Sequence, residues 1–75
     1  MQWKLIELRN KYNFSREDIA TALEMSERAY AMRERGEIQF KMNEMFAISE
    51  IFSVPLDHIF LNRNSTDTEI EEEAK

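Results

Sequence analysis

Two serines in this chain stand where their hydroxyls can do backbone chemistry. Each follows an apolar residue, and each is followed by three residues, a second apolar residue and an alanine: Phe14-Ser15-Arg16-Glu17-Asp18-Ile19-Ala20, then Met25-Ser26-Glu27-Arg28-Ala29-Tyr30-Ala31. A serine in front of a helix accepts one of the N–H groups that the first turn leaves without a partner. The flanking pairs, Phe14 with Ile19 and Met25 with Tyr30, have the N′-to-N4 spacing of a hydrophobic staple. Asp18, three residues past Ser15, makes the first copy a short-armed capping box. Two helices therefore begin eleven residues apart, with two or three residues left for the turn, which is the arithmetic of a helix-turn-helix.

Other chemistries lack their residues. The chain has a single histidine, His58, expected to face solvent on a last helix, and no cysteine. Its one glycine, Gly36, rules out a glycine-rich phosphate loop, and no paired carboxylates mark a cleft. No enzyme, metal site or cofactor is expected. Seventy-five residues allow one small domain with a modest core. The absence of cysteine is compatible with a reducing cytosol. No signal peptide and no apolar run long enough to span a membrane is present. Of the net charge of −5, a stretch from Asn62 to Lys75 accounts for −3, and the first 61 residues hold 8 basic against 10 acidic side chains. This is not the basic body of a strong non-specific DNA binder.

The spacing predicts an all-α chain with Gly and Pro once each as punctuation. Helix one covers Trp3 to Tyr12, with Leu5, Leu8 and Tyr12 on one apolar stripe. Asn13, tolerant of the left-handed conformation, follows it. Helix two covers about Arg16 to Leu23, with Ile19, Ala20 and Leu23 inward and alanine allowing a close crossing. Glu24 and Met25 make the turn. Helix three covers Glu27 to about Arg35 and stops at Gly36, the residue type favoured just past a helix end. At about 100° per residue, Glu27, Arg28, Ala31, Met32 and Arg35 share one arc, while Ala29, Tyr30, Arg33 and Glu34 face the core. The two inward charges each need a partner or an escape to water. Arg33 can lay its stem on the core and reach solvent, and Glu34 has Arg9 on helix one as its obvious partner. Helix four covers about Met42 to Phe52, with Met42, Met45, Ile48, Ser49 and Phe52 on one face. Phe46, Ala47 and Ile51 lie off that face, either as scattered exposed apolar residues or as a contact with another subunit. Pro55 opens a short helix, Leu56 to Phe60, whose Ile59 and Phe60, with Leu61, close the core or pair with a second copy. Residues 62–75 are polar, acidic and expected to be disordered.

Over Leu5–Leu61 the chain resembles the Cro/CI-type (XRE-like) helix-turn-helix domain of phage and bacterial repressors. The shared landmarks are Leu8-Arg9, Ser15 through Ala20, Leu23, Ser26, Glu34 and Gly36, with a closing Val54-Pro55-Leu56-Asp57-His58-Ile59-Phe60. Ala29-Tyr30, Arg33-Glu34-Arg35-Gly36, Phe40 and Glu44 look like the short Cro-like repressors of phages and mobile elements of Gram-positive bacteria. The resemblance implies a compact five-helix bundle of the lambda-repressor-like type over residues 1–61, with its helix-turn-helix at about 15–36. It also implies a double-stranded DNA operator as ligand, a homodimer, the cytoplasm of a bacterial host, and a buried pair between Arg9 and Glu34.

In that docking mode helix three enters the major groove with its N-terminal residues at base edges. Base readout then falls to Ser26, Glu27, Arg28, Ala31 and Met32. Arg28 can fork onto guanine O6 and N7, Glu27 can accept from cytosine N4, and Ala31 and Met32 can touch a thymine methyl. Phosphate contacts fall to Ser15, Arg16, Arg35 and Lys41, and dimer contacts to Phe46, Ile51, Ile59 and Leu61. The plain alternative for each is a solvated surface. Where many relatives have a basic loop after helix three, this chain reads Glu37-Ile38-Gln39-Phe40, which leaves few cations for phosphates. The rival reading is the same fold used to bind another regulatory protein, with DNA binding weak or lost. Deleting residues 62–75 is expected to leave the fold and any dimerisation intact; a melting curve and sedimentation of the truncated chain check this, and a large shift in either would mean that the segment packs.

Overall fold

A computed structural model of the chain describes residues 1–60; Leu61 and the acidic segment 62–75 lie outside the described residues. Five helices follow one another: α1 Trp3–Lys11, α2 Arg16–Ala22, α3 Glu27–Glu34, α4 Met42–Phe52 and α5 Leu56–Phe60, with no strand among the described residues.

Both serine caps form. Ser15 Oγ accepts from the Asp18 N–H at 3.0 Å, and the Ser15 N–H donates to Asp18 Oδ2 at 2.8 Å, completing the capping box. Ser26 Oγ accepts from the Ala29 N–H at 3.1 Å. The helix ends are equally regular. Beyond α1, α2 and α3, and at the end of α4, one residue turns left-handed: Asn13 (φ 62°), Glu24 (φ 60°), Gly36 (φ 87°) and Ser53 (φ 56°). Each is flanked by the two hydrogen bonds of a Schellman motif. For α2 these run from the Glu24 N–H to the Thr21 carbonyl and from the Met25 N–H to the Ala20 carbonyl, both 3.0 Å. For α3 they run from Gly36 to Arg33 at 3.1 Å and from Glu37 to Met32 at 2.9 Å. Asn13 and Gly36 were legible as helix ends, but Glu24 and Ser53 carry no residue-type signal for a positive φ.

Leu5 and Leu8 from α1, Ile19 and Ala20 from α2, Tyr30 from α3, Ile48 and Phe52 from α4 and Ile59 from α5 form the core, joined by Phe40 from the α3–α4 loop. Ala20 is wholly buried where α2 packs on α3, as its small size requires. Three expectations are corrected. Tyr12 does not continue the buried stripe of α1: the helix stops at Lys11, so Tyr12 lies past its last turn, 48% exposed, with its ring 5.8 Å from that of Phe52. Met42 is 57% exposed instead of inward. The core at that end is closed by Phe40, whose ring sits 5.4 Å from that of Phe60 and 6.1 Å from that of Tyr30. Ile59 is buried in the core and is withdrawn from any dimer surface.

Candidate nucleic-acid interface

The two arcs of α3 separate as its periodicity requires. Ser26, Glu27, Arg28 and Arg35 are exposed, and Ala31 and Met32 are half-buried along the same side. Tyr30 and Glu34 are wholly buried, with Ala29 and Arg33 half-buried beside them. The turn into α3 is short because Met25 is both the residue that closes the end of α2 and the apolar residue that precedes the Ser26 cap.

Glu34 fixes the inward side. Its Oε2 accepts from Arg9 Nε at 2.8 Å and from the Tyr30 hydroxyl at 2.9 Å; its Oε1 accepts from Arg16 Nε at 3.0 Å and from a terminal nitrogen of Arg9 at 3.5 Å. Burial alone pushes the Glu34 carboxyl up, but the hydrogen bonds from Arg9, Arg16 and Tyr30 outweigh it and hold the group below the usual carboxylate range. The same burial, with the Glu34 charge alongside, pushes the Tyr30 phenol above its ordinary value, so it remains a donor. The expected pair of Arg9 and Glu34 thus forms, enlarged by two further donors. Tyr30 could have been found from its i, i+4 spacing to Glu34 on one helix face. Arg16 could not, because nothing in local spacing links it to a residue eighteen positions on.

Arg33 does not escape to solvent. Its Nε donates to Glu44 Oε1 at 3.1 Å and a terminal nitrogen donates to the Ala29 carbonyl at 3.0 Å, with both side chains of the ion pair largely buried. The outward route was unnecessary because α4 brings a carboxylate to its first turn. That carboxylate also accepts the Lys41 N–H at 2.9 Å.

The expected phosphate-contact residues are dispersed around α3. Ser15 uses its hydroxyl to cap α2. Arg16 holds Glu34 by one nitrogen while its side chain stays 43% exposed. Arg35 is bound to Glu37 through contacts of 2.8 and 3.4 Å, and this guanidinium is the largest cause holding the Glu37 carboxyl below its ordinary value. Lys41 is exposed at the start of α4. Among the described residues, Lys11, Arg28 and Lys41 are the Lys and Arg side chains without an ion-pair partner.

A pair of short capped helices, packed on each other across a four-residue turn, defines a helix-turn-helix domain. The family model described as helix-turn-helix matches residues 5–59. The chain belongs to this family, the Cro/CI-type (XRE-like) DNA-binding transcription regulators, and its five helices fit the lambda-repressor-like fold. Among curated proteins and among solved structures nothing matches it. The family is one of DNA-binding regulators, not enzymes, and its ligand is double-stranded DNA. Among the described residues no helix is long and apolar enough to cross a membrane.

Replacing Glu34 by alanine leaves Arg9 buried without its charge partner, a loss of about 3–5 kcal/mol. Thermal unfolding should show a large drop in midpoint; an unchanged midpoint would mean that the cluster is solvated. The sign of the pH effect follows from the lowered pKa. A carboxylate held below its unfolded value contributes stability above that value and loses it as pH falls through the folded one. Denaturant titrations below the ordinary carboxylate value of 4.5 should therefore lose stability in the wild type, and the Glu34→Gln chain should lack that component.

Proposed function

We propose that the chain is a small repressor that reads a double-stranded operator through α3 in the major groove, acting as a homodimer on two half-sites. One observation carries this reading. The inward charges of α3 are paired within the fold, while Arg28, at its outer N-terminal end, has no ion-pair partner among the described residues. A guanidinium on an exposed, capped helix end matches guanine O6 and N7 in two hydrogen bonds, worth about 1–3 kcal/mol of discrimination. Glu27 accepts from cytosine N4, Ser26 contacts an adjoining base edge, and Ala31 and Met32 meet a thymine methyl. Ser15, Arg16, Arg35 and Lys41 approach the flanking phosphates. Arg35 does so only by leaving Glu37.

The two halves of a dimer would read sites one helical turn apart, about 34 Å. Phe46, 56% exposed on α4, with half-buried Ile51, supplies the apolar contact; Leu61 lies outside the described residues. A second reading, a module that binds another regulatory protein, is favoured by the acidic balance and by the exposed Ile38, Met42 and Phe46. Salt titration of binding to fragments from upstream of the chain's own gene separates the two. Saturable, sequence-dependent and salt-sensitive binding supports the operator reading, and its absence supports the protein partner.

Two substitutions sharpen the assignment. Arg28→Ala is expected to weaken binding to one operator far more than to random DNA; an equal loss on both would reduce Arg28 to a phosphate contact. Glu37→Gln is expected to tighten binding to operator and random DNA alike and to steepen the salt dependence, because Arg35 is released to a phosphate. No change in either quantity would place Arg35 away from the DNA backbone.

A further inference from the structure

The buried cluster around Glu34 holds more positive charge than it needs. Arg9 alone neutralises the carboxylate: its Nε and one terminal nitrogen meet Glu34, its other terminal nitrogen donates to the Phe14 carbonyl at 3.1 Å, and its side chain is only 12% exposed. Arg16 adds a second cation, so the three charged groups sum to one surplus positive charge. Arg16 is attached differently. Only its Nε is used, at 3.0 Å to Glu34 Oε1; its terminal nitrogens have no partner among the described residues, and the side chain is 43% exposed. The nearest acids in sequence do not cancel it. Asp18 is committed to the Ser15 N–H, and Glu17 makes no ion pair with it among the described residues.

We infer that Glu34 has a second role, as the tether that presents the outer edge of Arg16 to a DNA phosphate. This rests on the operator reading above, in which the first helix of the motif crosses the sugar–phosphate backbone and α2 carries Arg16. An arginine on an exposed helix start ordinarily samples many rotamers, and ordering such a side chain on binding opposes affinity. Here the guanidinium is already held by a carboxylate with no exposed surface, in a plane that leaves the two terminal nitrogens as a fork. A phosphodiester takes such a fork in two parallel hydrogen bonds, and its single negative charge neutralises the surplus. Lysine cannot substitute: it has one charged nitrogen and cannot hold Glu34 and a phosphate in the same fixed geometry.

The test is a salt titration of operator and random-DNA binding for wild type, Arg16→Ala and Arg16→Lys, with melting temperatures measured alongside. Glu34 keeps Arg9 and Tyr30 in both variants, so both are expected to fold. Arg16→Ala should weaken both DNAs by the same factor and lower the slope of log affinity against log salt by about 0.9, one phosphate. Arg16→Lys should restore the slope but recover only a minor part of the lost affinity. An unchanged slope in Arg16→Ala would overturn the phosphate contact, and full recovery of affinity by Arg16→Lys would overturn the tether. Wild type that binds no operator at all would instead refute the operator reading on which the inference stands.

Discussion

Removing a carboxylate from water withdraws several kcal/mol of hydration, and the fold must return that through fixed donors. Glu34 has no exposed surface, and its donors come from three helices: Arg9 from α1, Arg16 from α2 and Tyr30 from α3 itself. Its backbone carbonyl accepts as well, from the Gln2 N–H at 2.9 Å. This one side chain therefore sets the angle at which α3 leaves the body of the protein. The constraint is directional in a way that apolar packing is not. Ile19 and Ala20 make contacts without direction, whereas four hydrogen bonds to two oxygens, one of them from Tyr30, fix both distance and angle.

The second constraint is the turn, and it is used twice. Tyr12-Asn13-Phe14-Ser15 joins α1 to α2, and Leu23-Glu24-Met25-Ser26 joins α2 to α3. In each, the second residue turns left-handed, the apolar third residue donates its N–H back to the preceding helix, and the serine caps the next one. One apolar residue thus ends a helix and begins another, which is why four residues suffice. Met25 packs against the core, while Phe14 is 36% exposed and meets Phe52 edge-on at 5.8 Å. The two copies share backbone geometry but differ in burial, so the turn is fixed by its hydrogen bonds more than by the depth of its apolar residue.

Local signals made most of the fold legible. Serine caps, helical periodicity, Gly36 and Pro55 are decided within a few residues, and the helices they imply are the helices observed. Apart from the pair of Arg9 and Glu34, which was expected and forms, legibility failed where the answer lay across the chain. The pairing of Arg33 with Glu44 joins residues eleven apart, and that of Arg16 with Glu34 joins residues eighteen apart, and neither spacing has meaning outside the packed bundle. Phe40 takes the buried place expected of Met42 for a related reason. The periodicity of α4 names a face but not how far the core extends past the helix start, and an aromatic residue just before it reached the space first. Glu24 and Ser53 in left-handed backbone show the same limit, since the motif's two hydrogen bonds and the packing beyond them hold residues that would not choose that conformation alone.

Internal pairing also shapes what α3 can do on DNA. Arg9 and Arg33 are held within the fold and Arg35 is held by its own loop, which leaves few cations for an undirected phosphate surface. Non-specific affinity scales with phosphates neutralised, so it should be low. Base-edge contacts, which the proposed reading assigns to α3, do not scale that way. Specificity is the ratio of operator to random-DNA affinity; phosphate contacts common to both cancel in it, so lowering the undirected part weakens both alike and leaves discrimination to the base edges. A small acidic domain can therefore be a selective reader without being a tight monomeric binder, provided that a second copy multiplies the base-edge contribution. The acidic balance that first argues against DNA binding lowers affinity for every sequence without, on this view, removing discrimination among them.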